Sequence, residues 1–477
     1  MFSFIEPLWA AWVVALLAAF ASTVASVHVI LHKRDERAAL GWVGVIWLAP
    51  GFGAGLYLVF GINRIRRRAL RLRGPERKQL GSGGVSPGVP VPGTEDLGLA
   101  PLAQALDRVS RFPRVPGNAV VPLIDGDEAY PSMLDAIAKA ERSIALMTYI
   151  FDNDAAGKRF VDALGAAVER GVDVRVIIDD AGIRYSRPTV QRALRKRGVR
   201  VVRFMRAVFS RVPYMNLRTH RKLLVVDGRV AFTGGMNIRD GHLVGQSPPY
   251  PVRDVQFRLE GPVVTQLLEV FGEDWRFCTG EALDGDAWRS VDERAGASVA
   301  RTVPDGPDED HDRLRWAYLS GLAAARRSVR IVTPYFLPDQ SMTEALAVAS
   351  YRGVRVDVLI PYRCNLFFVQ WAVWGQLLPV IESCRVWLSP PPFDHTKLMI
   401  VDDEWVLIGS GNWDPRSYRL NFELDVEIYD ATLARMLAEE VDRRIAKSKR
   451  ATRRGWLRRK FPIRLRDSIA RLFAPYL

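Results

Sequence analysis

Two long apolar runs open the chain. Leu8 to Leu31 holds 24 residues without a charge. As a helix such a run extends about 36 Å, enough to cross a hydrocarbon core of about 30 Å. A charged break, His32 to Arg37, separates it from a second uncharged run, Ala38 to Ile62, which is interrupted by Pro50, Gly51 and Gly53. The pattern predicts a transmembrane helical hairpin, because membrane helices tolerate such interruptions. A cleaved signal peptide fits less well: the amino end is not basic and the apolar run is too long. From about Leu102 the period changes. Ser143 to Ile150 is an apolar, β-rich run, Lys158 to Arg170 places Phe160, Leu164 and Val168 at helical spacing, and Val172 to Ile178 alternates as a strand does. Strand, helix and strand in that order predict α/β structure, with helices covering a parallel sheet.

The unit then recurs. RSIALMTYIF, beginning at Arg142, is matched by RSVRIVTPYF at Arg327, and RGVDVRVII at Arg170 by RGVRVDVLI at Arg352. Duplication of one α/β lobe explains the order. The expected organisation is a membrane hairpin with a basic juxtamembrane segment over 1–73, with spans at about 8–31 and 38–62. A Gly-, Pro- and Ser-rich linker follows over 74–98, then a first lobe over 99–300, a second over 301–442, and a basic amphipathic tail over 443–477.

Composition adds a direction to this picture. At 477 residues the chain exceeds what one core supports, and 67 Lys plus Arg against 53 Asp plus Glu leave a net charge of +14. Such an excess points to a polyanionic partner, either nucleic acid or an anionic membrane surface. Eight basic residues lie between Arg64 and Lys78, directly after the second run, and outnumber Lys33, Arg34 and Arg37 in the connecting loop. This bias predicts that both termini and the lobes face the cytoplasm. In the tail, Arg453, Arg454, Arg458, Arg459 and Lys460 are interleaved with Trp456, Leu457 and Phe461. That mixture suits a segment lying on an anionic bilayer. Cys278, Cys364 and Cys384 form no disulfide or metal pattern.

Two stretches carry the chemistry. Thr219 to Asn237 (THRKLLVVDGRVAFTGGMN) and His395 to Asn412 (HTKLMIVDDEWVLIGSGN) hold the same residues at the same spacing. His220, Lys222, Asp227, a Gly turn and Asn237 in one answer to His395, Lys397, Asp402, a Gly turn and Asn412 in the other. Residues two apart in an extended segment project to one side, so each His and Lys project together, and the Gly turns bring each Asn back towards them. One copy alone is a weak signal. Two copies predict a pseudo-twofold site suited to a phosphodiester, with lysines and amides holding the phosphoryl oxygens. One imidazole attacks phosphorus and the other protonates the leaving oxygen. That chemistry needs no metal or other cofactor, and the sequence shows no ligand cluster for one. Asp227 and Asp402 fall on the opposite strand face, which favours anchoring of the next turn. Asp254 and Glu423 are the better candidates to orient the histidines, with Asp254 assigned to the first motif.

With these residues in hand, the chain resembles the phospholipase D superfamily, whose mark is the doubled H-x-K-x4-D motif. Within it the chain is similar to the bacterial two-motif cardiolipin synthases. The likeness runs from the hairpin through YIFDND, TPYFLPD and both motifs to Asn421-Phe422-Glu423. It implies two α/β sandwich lobes with the site where they meet, His220 as nucleophile forming a phosphatidyl-histidine, and His395 as general acid and then base. Lys222, Lys397, Asn237 and Asn412 would be phosphate ligands. The implied reaction moves a phosphatidyl group between two phosphatidylglycerol molecules, in the bacterial inner membrane, without nucleic acid as partner. From the residues alone the two histidines are interchangeable. A hydrolase of phospholipase D type, a different acceptor alcohol and a superfamily nuclease are the rival readings, and the membrane runs oppose the last. Pro251-Val252 and Trp413 depart from the family pattern. Phe204 to Leu217 and the aromatic-rich Leu366 to Ile381 are candidates for a lipid access rim.

Overall fold

A computed structural model of the chain describes residues 6–33, 36–61, 98–205, 217–308 and 310–474. The basic stretch after the second apolar run, nearly all of the expected linker, and residues 206–216 of the first candidate rim lie outside these. The chain divides into two compact units, Met1–Arg68 and Ala69–Leu477.

In the N-terminal unit, Glu6–His32 is one helix, and its segment Trp9–His32 is long and apolar enough to cross a membrane. The second apolar run is not a continuous helix. Glu36–Leu48 is helical, the chain turns at Pro50 and Gly51, and short helices Phe52–Leu56 and Tyr57–Gly61 follow. Pro50 has no amide to continue the ladder, and Gly51 sits at φ 81°, where a Cβ is strained. Among the described residues only Trp9–His32 therefore meets the length for a span, against the expectation of two. The pieces pack on the first helix through Val29, Ile46, Ala54 and Tyr57. Polar groups stitch them together: Trp47 Nε1 donates to Ser26 Oγ (3.0 Å), the Gly51 amide to Ser22 Oγ (3.1 Å), and His28 Nδ1 meets the Tyr57 hydroxyl (2.8 Å).

In the second unit the duplication is literal. The first lobe holds β1 (Val115–Ile124), β2 (Ser143–Thr148), β3 (Asp173–Asp179), β4 (Arg200–Phe204), β5 (Arg218–Thr219), β6 (Leu223–Val226), β7 (Val230–Gly234), β8 (Val252–Arg253) and β9 (Val255–Glu260). The second holds β10 (Ser298–Asp305), β11 (Ser328–Val332), β12 (Arg355–Pro361), β13 (Arg385–Ser389), β14 (Phe393–Asp394), β15 (Leu398–Val401), β16 (Trp405–Gly409) and β17 (Asn421–Tyr429), with β18 (Lys449–Arg450) on its edge. In the first lobe β2, β3 and β4 are parallel, and β6, β7, β9 and β1 add antiparallel strands beside β2. In the second, β11, β12 and β13 are parallel, and β15, β16, β17 and β10 repeat the arrangement. Antiparallel pairing of β1 with β10 joins the lobes into one sheet.

The repeated sequences explain the repeated elements. Asp154, closing YIFDND, caps the helix Ala155–Glu169 by accepting from the Gly157 amide (2.9 Å), and that helix buries Phe160, Leu164 and Ala167. Asp339, closing TPYFLPD, does the same for Gln340–Tyr351 at the Met342 amide (2.9 Å), above buried Leu346 and Ala349. Each cap contributes about 1 kcal/mol. The expected lobe boundary at residue 300 falls inside β10, and the expected tail is built into the second lobe. Helix Ala431–Ala446 runs past residue 442, Lys449 and Arg450 pair with β13, and helix Phe461–Leu472 docks on helix Phe367–Gln376, where Arg466 lies over Trp371 (4.4 Å) and Arg459, which grips Asp467, donates to the Trp374 carbonyl (3.3 Å).

Candidate active site

Two short strand pairs cross between the lobes, and each carries one histidine. β5 runs parallel to the start of β17, so the His220 amide donates to the Phe422 carbonyl (2.8 Å). β14 runs parallel to β8, so the His395 amide donates to the Arg253 carbonyl (2.8 Å). In each pair the next residue on the partner strand is a carboxylate. His220 Nδ1 lies 3.0 Å from Glu423 Oε2, and His395 Nδ1 lies 2.9 Å from Asp254 Oδ2. The assignment of Asp254 to the first motif is therefore corrected. Each histidine takes its carboxylate from the other lobe, because the pairing that registers it is interlobe. With Nδ1 engaged in both rings, Nε2 is the nitrogen left for chemistry.

Both histidines line a cavity of about 330 Å³, with Asn237, Asn412, Tyr149, Tyr335, His242 and three arginines among its walls. Lys222 and Lys397 are buried, and each donates to the carbonyl of its own histidine residue, at 2.5 and 2.6 Å. A lysine has three donors, so two remain on each for an anion. The Asn237 Oδ1 accepts from the Ile150 amide (3.0 Å), which leaves its NH2 group as the donor towards the cavity. Tyr149 stands edge-on to His220 (5.4 Å) and Tyr335 to His395 (6.4 Å). Gly235 has no room for a side chain: a Cβ there would lie 2.7 Å from Asp254 Oδ2 and 2.9 Å from the His395 carbonyl.

The two halves match in backbone and differ in the surroundings of their carboxylates. Glu423 receives hydrogen bonds from His220, from Ser410 Oγ (2.6 Å), from Ser417 Oγ (2.9 Å) and from Asn421 Nδ2 (3.0 Å). Burial pushes its pKa up, but His220, the nearby Lys222 and the Ser410 hydroxyl outweigh this and hold it below the usual glutamate range. Among the described residues the Asp254 carboxylate has two hydrogen-bond partners, His395 and the neighbouring Val255 amide (2.8 Å), and burial, opposed by Lys397, pushes its pKa up to about 8. Burial lowers His220 to about 4, despite the Glu423 charge, and drives His395 well down, helped by Lys397 and Lys222. Burial also lowers Lys222 strongly and brings Lys397 to about 8.

At neutral pH the first pair is thus an ionised Glu423 accepting Nδ1–H from a neutral His220, whose Nε2 carries a lone pair. In the second pair burial favours one more proton, because it raises Asp254. With that proton on Asp254, His395 accepts it at Nδ1 and presents Nε2–H to the cavity. Chemically, the first tautomer can attack an electrophile and the second can donate a proton.

The motif aspartates lie away from the cavity. Asp227 and Asp402 both have positive φ, 52° and 55°, at the turns after β6 and β15. The Asp227 carboxylate accepts from the amides of Glu141, Arg142 and Ser143, and that of Asp402 from Arg326, Arg327 and Ser328. Each therefore ties its motif strand to the strand beside it. Replacing Asp402 by alanine orphans three amides and is expected to cost about 3 kcal/mol of stability. Equilibrium denaturation of the detergent-solubilised protein measures this, and Asp402→Asn, which keeps an acceptor, is expected to lose less.

Several residues here carried no sequence signal. Arg221, between His220 and Lys222, is fully buried and bridges the lobes, donating to the Glu423 carbonyl (2.9 Å) and to Asp274 Oδ2 (2.6 Å). At the matching position Thr396 accepts from Arg444 (3.1 Å). His242 lines the cavity and engages the Val252 carbonyl through Nδ1 (3.1 Å). Only the spatial convergence of Ser410, Ser417 and Asn421 on Glu423 reveals their part. Trp413 departs from the family pattern for packing reasons: it is buried and stacked on Tyr318 (4.5 Å). Of the second candidate rim, Leu366 and Val369 line the cavity and Phe367 is 67% exposed. Trp371 is half-buried, with the Arg466 guanidinium 4.4 Å above its ring.

Comparison with known proteins agrees with this architecture. Residues 133–275 and 318–445 match the family described as "Cardiolipin synthase, PLD-like domain", and residues 20–61 match "Phospholipase_D-nuclease N-terminal". The chain is 31% identical over 472 residues to the major cardiolipin synthase ClsA of Bacillus subtilis (strain 168), covering 95% of this chain and 96% of that protein. It is 30% identical over 474 residues to a cardiolipin synthase of Oceanobacillus iheyensis, covering 94% and 95%. The crystal structure of a phosphatidylserine synthase from Haemophilus influenzae Rd KW20 shares the fold, with a TM-score of 0.59 at 16% identity over 79% of this chain and 100% of that one. The chain belongs to the cardiolipin synthase family of phospholipase D-like enzymes, as a membrane-associated phosphatidyltransferase with duplicated lobes and an N-terminal helix of membrane-spanning length.

Proposed function

We propose that this enzyme makes cardiolipin from two molecules of phosphatidylglycerol through a phosphohistidine on His220. The observation that carries the reading is the convergence of two His–Lys sets on one cavity, each histidine fixed at Nδ1 by a carboxylate of the other lobe. Nε2 of His220 forms a bond to the donor phosphorus as the bond to its headgroup glycerol breaks. His395 gives its Nε2 proton to the departing glycerol oxygen, while the Asp254 proton moves to Nδ1. Lys222, Lys397, Asn237 and Asn412 hold the phosphoryl oxygens, where charge builds up in the transition state. In the second half the terminal hydroxyl of another phosphatidylglycerol attacks phosphorus, its proton goes to His395, and the P–N bond breaks. Free glycerol and cardiolipin leave. Mass spectrometry of products from purified enzyme and defined phosphatidylglycerol tests this. Cardiolipin with equimolar glycerol is expected; phosphatidic acid as the main product would make the enzyme a hydrolase.

The setting we propose is the bacterial inner membrane, with the lobes on the cytoplasmic side, because basic residues cluster between Arg64 and Lys78. Helix Phe461–Leu472 supports contact of the second lobe with the bilayer. One face buries Asp467 and Ala470, while Phe461, Leu465, Ile469 and Leu472, at helical spacing on the opposite face, are exposed beside Arg464 and Arg471. An apolar stripe edged with arginines is what an interfacial helix needs. Serine at both Leu465 and Ile469, or at Phe367, is expected to lower turnover of phosphatidylglycerol in bilayers by about tenfold while sparing a short-chain, monomeric substrate. Equal losses on both substrates would remove the bilayer contact from the account.

A further inference from the structure

We infer that Arg416 binds the phosphodiester of the acceptor lipid, forming a second anion site beside the reacting phosphorus. This rests on the reading that the acceptor is itself an anionic phospholipid. Three arginines line the cavity: Arg218, Arg239 and Arg416. Two are spoken for. Arg218 lies 3.9 Å from Asp179 and donates to the Leu217 carbonyl (3.2 Å), and Arg239 lies 3.3 Å from Asp152. Arg416 is half-buried and, among the described residues, its guanidinium pairs with no carboxylate. The acid closest to it in the chain, Asp414, is engaged as a helix cap, with Oδ1 accepting from the Ser417 amide (2.8 Å). A half-buried guanidinium in a cavity wall, whose only electrostatic partner of opposite sign among the described residues is the capping Asp414, favours an anionic ligand with paired oxygens, as a phosphodiester has.

Its placement ties it to the chemistry. Arg416 belongs to the short helix Pro415–Arg419, and its neighbour Ser417 donates to Glu423 Oε1 (2.9 Å) and accepts from the Asn412 amide (3.2 Å). The arginine is therefore held one residue from the network that orients His220. The lysines, histidines and asparagines account for one phosphate, the one undergoing displacement. A phosphatidylglycerol acceptor brings another, separated from its attacking hydroxyl by a three-carbon chain, so that second phosphate comes to rest in the same cavity. Water and neutral alcohols bring none. Arg416 thus selects an anionic acceptor for the P–O bond that forms as the P–Nε2 bond breaks, and its removal leaves the first displacement intact.

The test uses the full-length protein in vesicles of phosphatidylglycerol. Cardiolipin and phosphatidic acid are measured together with exchange of isotope-labelled glycerol into phosphatidylglycerol, which reports formation of the intermediate and its capture by a neutral acceptor. In Arg416→Ala the cardiolipin to phosphatidic acid ratio is expected to fall by about tenfold or more, the worth of a charged hydrogen-bonded contact, while glycerol exchange stays within about threefold. Arg416→Lys keeps the charge without the planar fork, and is expected to fall between. An unchanged ratio, or an equal fall of cardiolipin and exchange in both variants, overturns the acceptor site. A wild-type protein that yields no cardiolipin overturns the proposed function and this inference with it. Wild-type cardiolipin beside an unchanged variant ratio overturns only the inference.

Discussion

Alanine at His220 or at His395 is expected to abolish turnover, by about 10⁴-fold or more each, with insertion into the membrane unaffected. Both rings sit in one cavity and neither half-site can act alone, so the losses are not additive and the double variant falls no further. The two variants differ in what rescues them. A donor whose leaving group departs without a proton, such as a phosphatidyl nitrophenol, bypasses the acid in the first step. His395→Ala is expected to form the covalent intermediate from that donor and to accumulate it, since the base for the second step is missing. His220→Ala has no atom to attack phosphorus and stays inert. Acid quench followed by detection of phosphatidyl label on the protein decides the matter. Label in His220→Ala and none in His395→Ala would exchange the two roles. Substantial turnover in either variant would refute the shared site.

The duplication was legible because it is written in residue types that the chemistry cannot change. His, Lys and Asn recur at fixed spacing, and the strands that carry them recur around them. The motif aspartates were legible as turn anchors by strand parity, and Asp227 and Asp402 do hold three amides each. What proximity in sequence misplaced was the partner of each histidine. Asp254 follows the first motif in the chain, yet it meets His395, because parallel pairing of β8 with β14 is a contact between lobes that no local pattern encodes. The same holds for Arg221, whose type suggests a surface residue and whose position makes it an interlobe clamp. The second apolar run read as a span by composition. Pro50 and Gly51 break it, since composition measures transfer to lipid and says nothing of where the backbone ladder stops. The basic tail was read as a segment on a membrane surface. Arg459 and Arg466, which grip Asp467, dock its last helix on the second lobe at the Trp374 carbonyl and the Trp371 ring, and the opposite apolar face stays exposed.

The crossed carboxylates lead to the second large effect. Glu423→Gln and Asp254→Asn are each expected to lower kcat/KM by about 10²- to 10⁴-fold: the first amide donates to Nδ1 of His220 and removes the lone pair from its Nε2, while the second keeps Nε2–H on His395 but has no proton to pass to Nδ1. Their pH profiles are expected to differ. In the proposed mechanism the acid is the extra proton of the Asp254–His395 pair, and burial raises Asp254 to about 8. As pH rises through that value the pair loses the proton, His395 turns its lone pair to the cavity, and kcat/KM falls. On the acid side the nucleophile is lost only as His220 protonates, at about 4. The free enzyme is therefore expected to give a bell with limbs near those two values. In Asp254→Asn the extra proton can reside only on His395, whose affinity for it burial and the two lysines depress. The alkaline limb then moves to lower pH, and the residual activity has a more acidic optimum. In Glu423→Gln the second pair is untouched, so the alkaline limb stays near 8 while the rate drops. Identical profiles in the two variants would mean that the pairs do not hold different numbers of protons, and the assignment of His220 as nucleophile would lose its physical basis.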